Sequence, residues 1–201
     1  MLELSPDQAH HLFRVLRLVD GESVTYTDGQ GHKGVGQVKG VRVLRGDEEL
    51  VPRCPVKLTL AVAPPRDKDR VRFLVEKAAE LEVARIVWLQ TRLGQGVPPG
   101  SARVRSWAQS ALEQSQGSYL VDVSGETVYP SQLTEGIVWF TDPGGGTLPA
   151  PVPERVTVAV GPEGGWAPDE IPRGVLLLNL GRTILRVETA AILAVGLVTR
   201  S

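Results

Sequence analysis

From Val56 onward, short apolar segments alternate with segments of helical periodicity. The apolar segments that have the length of strands are Val56–Ala63, Ile86–Leu89, Ile137–Phe140, Val156–Val160 and Val175–Leu180. Strands that are apolar at nearly every position are typical of parallel sheets covered on both faces. The pattern therefore predicts an α/β domain built on a parallel sheet.

Three helices are predicted between and after these strands. The apolar positions of the first two are Val71, Leu74, Val75, Ala78 and Leu81, followed by Val104, Trp107, Ala108, Ala111 and Leu112. The last helix is predicted over residues 187–199 and is apolar almost all round. A surface helix would have a polar face, so we expect this helix to be buried or to lie in a subunit interface.

Residues 1–55 have a different pattern and are predicted to form a small domain, with residues 56–201 as the second domain. A short helix over about Pro6–Leu18 precedes β segments such as 36–44. The glycines of Gly29-Gln-Gly-His-Lys-Gly34 match the dinucleotide-binding pattern, but a strand-like segment follows them instead of a helix. We therefore interpret them as a hairpin turn.

The composition limits the classes of function. A net charge of −1 disfavours a generic nucleic-acid coat, although it allows an RNA enzyme whose basic residues share one face. The sequence contains neither a signal-peptide pattern nor the roughly 20 apolar residues of a membrane span, so we expect a cytoplasmic protein without a membrane partner. The lone cysteine, Cys54, cannot by itself build a metal site, and we expect no metal.

A glycine-rich junction follows the predicted strand Val156–Val160. Its sequence is Gly161-Pro-Glu-Gly-Gly165, and open α/β sheets bind ligands at such carboxyl ends of strands. Glycines let the backbone approach a ligand closely, and proline stiffens the turn. On local chemistry alone, a tight structural turn with an exposed Glu163 explains the segment equally well.

A second junction leads from Gly181 into the last predicted helix. Glu188 or Thr189 could cap the free amides of that helix, which would give this junction a purely structural explanation. Such a cap does not explain Arg186, because the helix dipole disfavours a cation at this position.

The two junctions, Gly161–Gly165 and Leu180–Ala190, together resemble the cofactor-binding signature of the RsmE family of SPOUT methyltransferases. The segment from His10 to Glu22 resembles the PUA-like RNA-binding module of that family. Residues 68–83 and 107–115 resemble the first two helices of its catalytic domain. The resemblance is collinear over most of the chain.

This resemblance implies a SPOUT-type parallel sheet with a C-terminal trefoil knot, a small N-terminal β-barrel (PUA-like) domain and a homodimer. It also implies an S-adenosylmethionine-dependent enzyme that methylates N3 of a uridine, uridine 1498, in the 16S ribosomal RNA of the small ribosomal subunit. The cofactor would lie among loop A (residues 141–145), loop B (residues 161–165) and loop C (residues 180–186). The cofactor-binding residues implied by the matching motifs are Thr141, Asp142, Pro143, Val160, Gly161, Pro162, Glu163, Gly164, Gly165, Leu180, Gly181, Ile184, Leu185, Arg186 and Thr189.

Arg186 is predicted to be catalytic, because a fixed guanidinium stabilises the negative charge that develops when N3 loses its proton. Glu163 is the second catalytic candidate, for proton abstraction or for orienting the base. The predicted RNA contacts are Arg14, Arg17, Arg66, Lys68, Arg70, Arg72 and Arg92. The alternating charges from Arg66 to Arg70 are also typical of a solvated helix start.

The chain departs from the family pattern at several positions. Thr183 and Val187 stand where arginine and threonine are usual, and Ala167 and Pro172 predict a shortened helix after loop B. Two alternative functions therefore stay open. One is a SPOUT methyltransferase that acts on transfer RNA or on another ribosomal site, and the other is an RNA-binding or ribosome-assembly protein with a decayed cofactor site.

Overall fold

The computed structural model describes residues 2–200, which divide into two compact units, one ending at Arg53 and the other beginning at Cys54. None of the helices formed by these residues has the length and apolar character needed to span a bilayer.

The first unit begins with a short helix whose start is encoded by Ser5. Helix α1 (Pro6–His10) starts with a capping box, in which Ser5 Oγ accepts from Gln8 N at 3.2 Å and the Gln8 side chain accepts from Ser5 N at 3.1 Å. A π-helical turn, His11–Val15, continues it. The predicted helix is confirmed, although it ends at Val15, because Arg17 has a φ of +56° that turns the chain out of the helix.

Four antiparallel strands complete this unit: β1 (Ser23–Thr27), β2 (His32–Lys39), β3 (Arg42–Leu44) and β4 (Glu48–Leu50). The segment predicted as one strand over 36–44 is the β2–β3 hairpin, which turns at Gly40 with a φ of +63°. The glycine pattern that begins at Gly29 spans the turn between β1 and β2, which confirms the hairpin interpretation.

The β-barrel expected for this unit is not closed by the pairings of its described residues. Strand β2 is central, β1 pairs along one side, and β3 and β4 share the other side. The result is an open four-stranded sheet. Among the described residues β1 pairs with neither β3 nor β4, so the sheet does not close on itself.

The second unit is built on a six-stranded sheet in which every pairing is parallel. Its strands are β5 (Lys57–Val62), β6 (Arg85–Leu89), β7 (Asp122–Val128), β8 (Ile137–Gly146), β9 (Arg155–Val160) and β10 (Leu176–Leu178), in the spatial order β10-β8-β9-β5-β6-β7. The helices are α2 (Lys68–Glu80), α3 (Ser101–Ser115) and α4 (Val187–Thr199). The predicted parallel α/β sheet and the predicted bounds of the last helix are confirmed.

The two faces of this sheet are covered differently. All three helices pack into one cluster of buried side chains, against Leu58, Leu60 and Val62 of β5. The opposite face presents smaller residues such as Ala61 and Ala159, and the irregular segment 161–175 covers it. That segment forms turns and contains no helix, so the shortened helix predicted from Ala167 and Pro172 does not form there. Helices therefore cover only one face.

Two strands differ from the sequence prediction. Strand β7 was not predicted, because it is a polar edge strand that pairs only with β6 and contains no apolar run.

Strand β8 extends beyond Phe140 into the segment predicted to be a loop. Its pairing with β10 is interrupted there, since Phe140 lies opposite Leu177 and Gly146 lies opposite Leu178. Residues 141–145, which are loop A, bulge out between these two pairs.

An exposed cluster in the first unit links β1 to β4. The Tyr26 hydroxyl donates to Glu48 Oε1 at 2.7 Å, and Arg45 Nε donates to the same oxygen at 2.7 Å. These two hydrogen bonds lower the pKa of Glu48. The Tyr26 ring lies against Gly34, where a Cβ atom would come within 2.7 Å of the ring carbon Cζ.

Replacing this carboxylate should give a pH-dependent loss of stability. Because folding lowers the pKa of Glu48, its contribution is present above the ordinary value of 4.5 and is lost as pH falls through the lower folded value. We expect Glu48→Gln to reduce the urea-unfolding midpoint at about pH 7, with a smaller difference at a pH well below 4.5, where Glu48 becomes protonated. Circular dichroism would measure the midpoints, with Glu49→Gln as the matched control. A difference of equal size at both pH values would contradict this prediction.

Candidate active site

Loops A, B and C lie at the same edge of the sheet. Loop A bulges from the end of β8, and loops B and C follow β9 and β10, which flank β8 on either side. Because these strands are parallel, their carboxyl ends meet at one edge, where α/β sheets bind ligands. The three segments singled out in the sequence are therefore adjacent.

Loop A lies directly against the backbone of β10. A Cβ atom on Gly145 would be 2.5 Å from the carbonyl carbon of Leu177 and 2.7 Å from the amide nitrogen of Leu178. Real Cβ contacts are not this short, and both neighbours are backbone atoms that belong to a strand. Gly145 must therefore be glycine for the two segments to approach this closely.

Asn179 joins loop A to loop C. Its backbone N donates to Gly146 O at 2.8 Å, and its side-chain Nδ2 donates to Pro143 O at 2.8 Å. Its Oδ1 accepts from Gly181 N at 2.7 Å. One side chain thus fixes the backbone of both loops, and the sequence analysis did not identify it.

Loop B forms a tight turn of its own. Gly165 N donates to Pro162 O at 2.9 Å, and Gly165 has a φ of +73° with open space where a Cβ atom would lie. Pro162 is buried, whereas Glu163 is exposed. The glycine sequence is therefore needed for this turn, and the turn presents Glu163 to solvent.

Loop B is joined to loop A by Trp166. The indole Nε1 donates to the carbonyl oxygen of Thr141 at 2.8 Å. The Thr141 hydroxyl in turn donates to Ala159 O at 3.2 Å. The start of loop A is thereby held against both β9 and the residue that follows loop B.

A fourth segment, residues 90–96, follows β6 at the same edge of the sheet and packs against loop B. Gly164 faces this segment, since a Cβ atom there would lie 3.2 Å from Leu93 Cβ. The Glu170 carboxylate accepts from Arg92 N at 2.7 Å and from Ala167 N at 2.9 Å. Glu170 therefore attaches the fourth segment to the chain that follows loop B.

The two predicted catalytic side chains are both exposed. Arg186 is the residue before the first turn of α4, and Glu163 lies in loop B. The expectation that Glu188 or Thr189 caps α4 is wrong, because among the described residues no side-chain cap is formed at the start of this helix, and Thr189 is exposed. The Glu188 side chain instead lies close to Arg70 of α2.

Glu188 is a buried carboxylate with incomplete pairing. Its Oε1 is 3.7 Å from Arg70 Nε, and its side chain is 9% exposed. Its Oε2 is buried and has no hydrogen-bond partner among the residues that the structure describes. The contact with Arg70 offsets part of the cost of this burial, since a buried carboxylate needs a nearby cation.

The predicted RNA contacts belong to both units. Arg14 and Arg17 lie in the first unit. In the second unit, the cations from Arg66 to Arg72 follow β5, and Arg92 follows β6, at the edge that carries loops A, B and C. Arg72 is paired with Glu76, with 2.6 Å between Nε and Oε1.

Between residues 2 and 200, no cluster of three or more histidine, cysteine, aspartate or glutamate residues has an arrangement that could hold a metal ion.

The sequence analysis missed the side chains that connect the loops. Trp166 and Asn179 directly adjoin loops B and C, but their backbone partners lie 25 and 36 residues away in the chain. Glu170 bonds to Arg92 across 78 residues. Apolar periodicity reports only on local structure, so it gave no signal for these contacts.

Comparison with known proteins identifies the family. A family model described as an RNA methyltransferase domain matches residues 52–199, and one described as an RNA methyltransferase PUA domain matches residues 4–44. Ribosomal RNA small subunit methyltransferase E of Mycobacterium bovis is 29% identical over 96% of this chain and 83% of its own length. The protein of the same name from Synechocystis is 26% identical, over 96% of this chain and 71% of its own.

Solved structures agree with this assignment. A methyltransferase from Legionella pneumophila, in complex with the bound cofactor SAM, matches with a TM-score of 0.85 and 29% identity over 99% of this chain and 91% of its own. A Neisseria gonorrhoeae ribosomal RNA small subunit methyltransferase E, bound to S-adenosyl methionine, shares the fold with a TM-score of 0.83 and 23% identity over 98% of this chain and 93% of its own. The chain belongs to the RNA methyltransferase domain family, and a PUA domain of these enzymes precedes its methyltransferase domain.

Proposed function

We propose that this protein transfers a methyl group from S-adenosylmethionine to N3 of a uridine in 16S ribosomal RNA, at uridine 1498 of the small ribosomal subunit. The observation that carries the proposal is the convergence of loops A, B and C at one edge of the sheet, held together by Asn179 and Trp166. The names of the Mycobacterium and Synechocystis relatives support the RNA target.

The residues of the three loops fit this cofactor. Gly165 of loop B, Gly181 of loop C and Gly146 directly after loop A have open space on the side where a Cβ atom would lie, so a ligand can approach their backbone groups closely. Backbone donors and acceptors of this kind suit an adenine ring. When bound, S-adenosylmethionine supplies an electrophilic methyl group on a sulfonium that leaves as a neutral thioether, and the reaction needs no metal.

Two exposed side chains would act on the uridine. The Arg186 guanidinium, at the start of α4, would stabilise the negative charge that develops on the base as N3 loses its proton. Glu163, presented by loop B, would accept that proton or orient the base. Both groups are attached to loops that would also contact the cofactor, so binding and chemistry would be coupled through the backbone.

RNA contact would use cations from both units. Arg66, Lys68, Arg70, Arg72 and Arg92 would contact phosphates beside the cofactor loops, with Arg14 and Arg17 of residues 1–55, the proposed PUA-like RNA-binding domain. Residues 56–201 would form the catalytic domain. Glu188 would fix the direction of Arg70, and Glu76 that of Arg72. Ion pairs that orient these arginines would let a protein of near-neutral net charge present ordered basic groups to RNA.

The close approach of loop A to β10 supports a trefoil knot in the C-terminal part of the chain. The Gly145 backbone lies against Leu177 and Leu178, and the chain continues from there through Asn179 into loop C. A knot would bring the backbone of these sequence-distant segments into direct contact.

The outer face of α4 supports a homodimer. Its Leu193 and Leu197 are 36% and 40% exposed, and Gly196 between them has open space where a Cβ atom would lie. Ile184 of loop C is 88% exposed. An apolar helix face with a small residue at its centre permits the close packing of a second copy.

The proposed activity is tested by calorimetric titration with S-adenosylmethionine and by methyl transfer to small-subunit RNA. We expect saturable binding and transfer by the wild-type protein. Arg186→Ala should reduce turnover by roughly 100-fold or more while it retains cofactor binding, since it removes charge stabilisation. Arg103→Ala, on α3, is the control for loss of an exposed arginine. An absence of cofactor binding would instead favour an RNA-binding protein with a decayed site.

Asn179 provides a test of the loop arrangement. Asn179→Ala removes the bonds to Pro143 O and Gly181 N and should weaken cofactor binding roughly fivefold or more, the effect of about 1 kcal/mol per lost bond. Asn179→Asp keeps the acceptor for Gly181 N but faces the Pro143 carbonyl with an oxygen. If the hydrogen bond from Asn179 to loop A controls cofactor affinity, both variants should bind S-adenosylmethionine more weakly than the wild-type protein. Wild-type affinity in both variants would contradict the prediction.

The dimer is tested by Leu197→Asp. A charge in the apolar face of α4 should convert the dimer to a monomer, because burying an unpaired carboxylate is costly. Sedimentation velocity would measure the change, and Leu50→Asp in the first unit is the control, since Leu50 is 65% exposed. A monomeric wild-type protein would refute the proposed dimer.

A further inference from the structure

We propose that Trp166 is a positioning residue that sets the spacing between loops A and B and thereby the affinity for S-adenosylmethionine. The inference rests on the proposed function. It goes beyond it by assigning a role to a side chain outside the three loops that would bind the cofactor.

A single hydrogen bond carries this role. The indole Nε1 donates to the carbonyl oxygen of Thr141, the first residue of loop A, at 2.8 Å. The Thr141 hydroxyl donates to Ala159 O at 3.2 Å, so this residue is fixed on its other side by β9. Loop A therefore begins at a point held by both its neighbouring strand and the residue that follows loop B.

The orientation of the indole is fixed by packing. A Cβ atom on Gly161 would lie 2.9 Å from Trp166 Cε2, so the ring covers the first residue of loop B directly. The ring of Phe140 meets the indole edge-on, with centroids 5.2 Å apart and an interplanar angle of 65°. Phe140 directly precedes loop A, so the indole contacts both loops at their starts.

The bond matters because none of the helices formed by the described residues covers this face of the sheet. Segment 161–175 consists of turns, and Trp166 packs against the buried cluster that includes Ala61, Phe140 and Ala159. Without an adjoining helix to fix loop B, its position depends on individual side-chain contacts. Trp166 makes the contact to loop A, while Glu170 attaches the following residues to Arg92.

Loss of the hydrogen bond from Trp166 to Thr141 should weaken cofactor binding more than it slows methyl transfer. Loops that are free to separate must be ordered when the cofactor binds, and that ordering reduces affinity. Once the cofactor is bound, the loops regain the same positions. We therefore expect a higher KM for S-adenosylmethionine with kcat little changed at saturation, a division that a general loss of packing would not produce.

The test is Trp166→Phe, which retains an aromatic ring and removes the N–H donor. Its Kd for S-adenosylmethionine, measured by calorimetry, should rise roughly fivefold, the effect expected for one hydrogen bond. The matched control is Trp107→Phe, since Trp107 is also half-buried but packs into the helix-covered cluster. Its Kd should equal that of the wild-type protein.

The outcomes separate this inference from the proposed function. Unchanged affinity in Trp166→Phe, or an equal loss of affinity in both variants, would overturn the role of Trp166 and leave the function intact. A wild-type protein that does not bind the cofactor would overturn both. If Trp166→Phe does not fold, benzothienylalanine at position 166 replaces the N–H with sulfur in a ring of the same shape. The same rise in Kd is then expected, and its absence overturns the inference.

Discussion

The passage of loop A against β10 is the constraint on which the site depends. Strand β8 pairs with β10 on both sides of loop A, so the loop must leave the sheet and return within a short stretch of chain. It does so only because Gly145 allows two backbones to touch. Asn179, placed by this crossing, then holds loops A and C together.

The uneven covering of the sheet explains why single side chains matter at this edge. On one face, three helices pack against the strands in a single buried cluster. Many side-chain contacts together fix the positions of the strands there. The other face is covered by turns after loop B, since Pro172 and the lack of a capping side chain at Ala167 prevent a helix. Trp166 and Glu170 supply connections there that a helix would otherwise provide.

The accuracy of the sequence predictions followed the strength of the local pattern. Helix α4 was predicted with its observed bounds, and the buried strand β9 was predicted to within one residue, because their apolar runs are long and uninterrupted. Strand β7 was missed because it is polar, and the extension of β8 was missed because Pro143 and three glycines indicate a loop. The expected cap of α4 failed because Glu188 faces Arg70.

The sequence by itself determined the parallel α/β sheet, through its apolar periodicity, and the family, through the short contiguous motifs of loops B and C. Only the tertiary structure decided how the loops are joined. The bonds from Trp166 to Thr141 and from Asn179 to Pro143 connect residues 25 and 36 positions apart. Such contacts exist only after parallel strands bring their ends to one edge, so no local pattern encodes them.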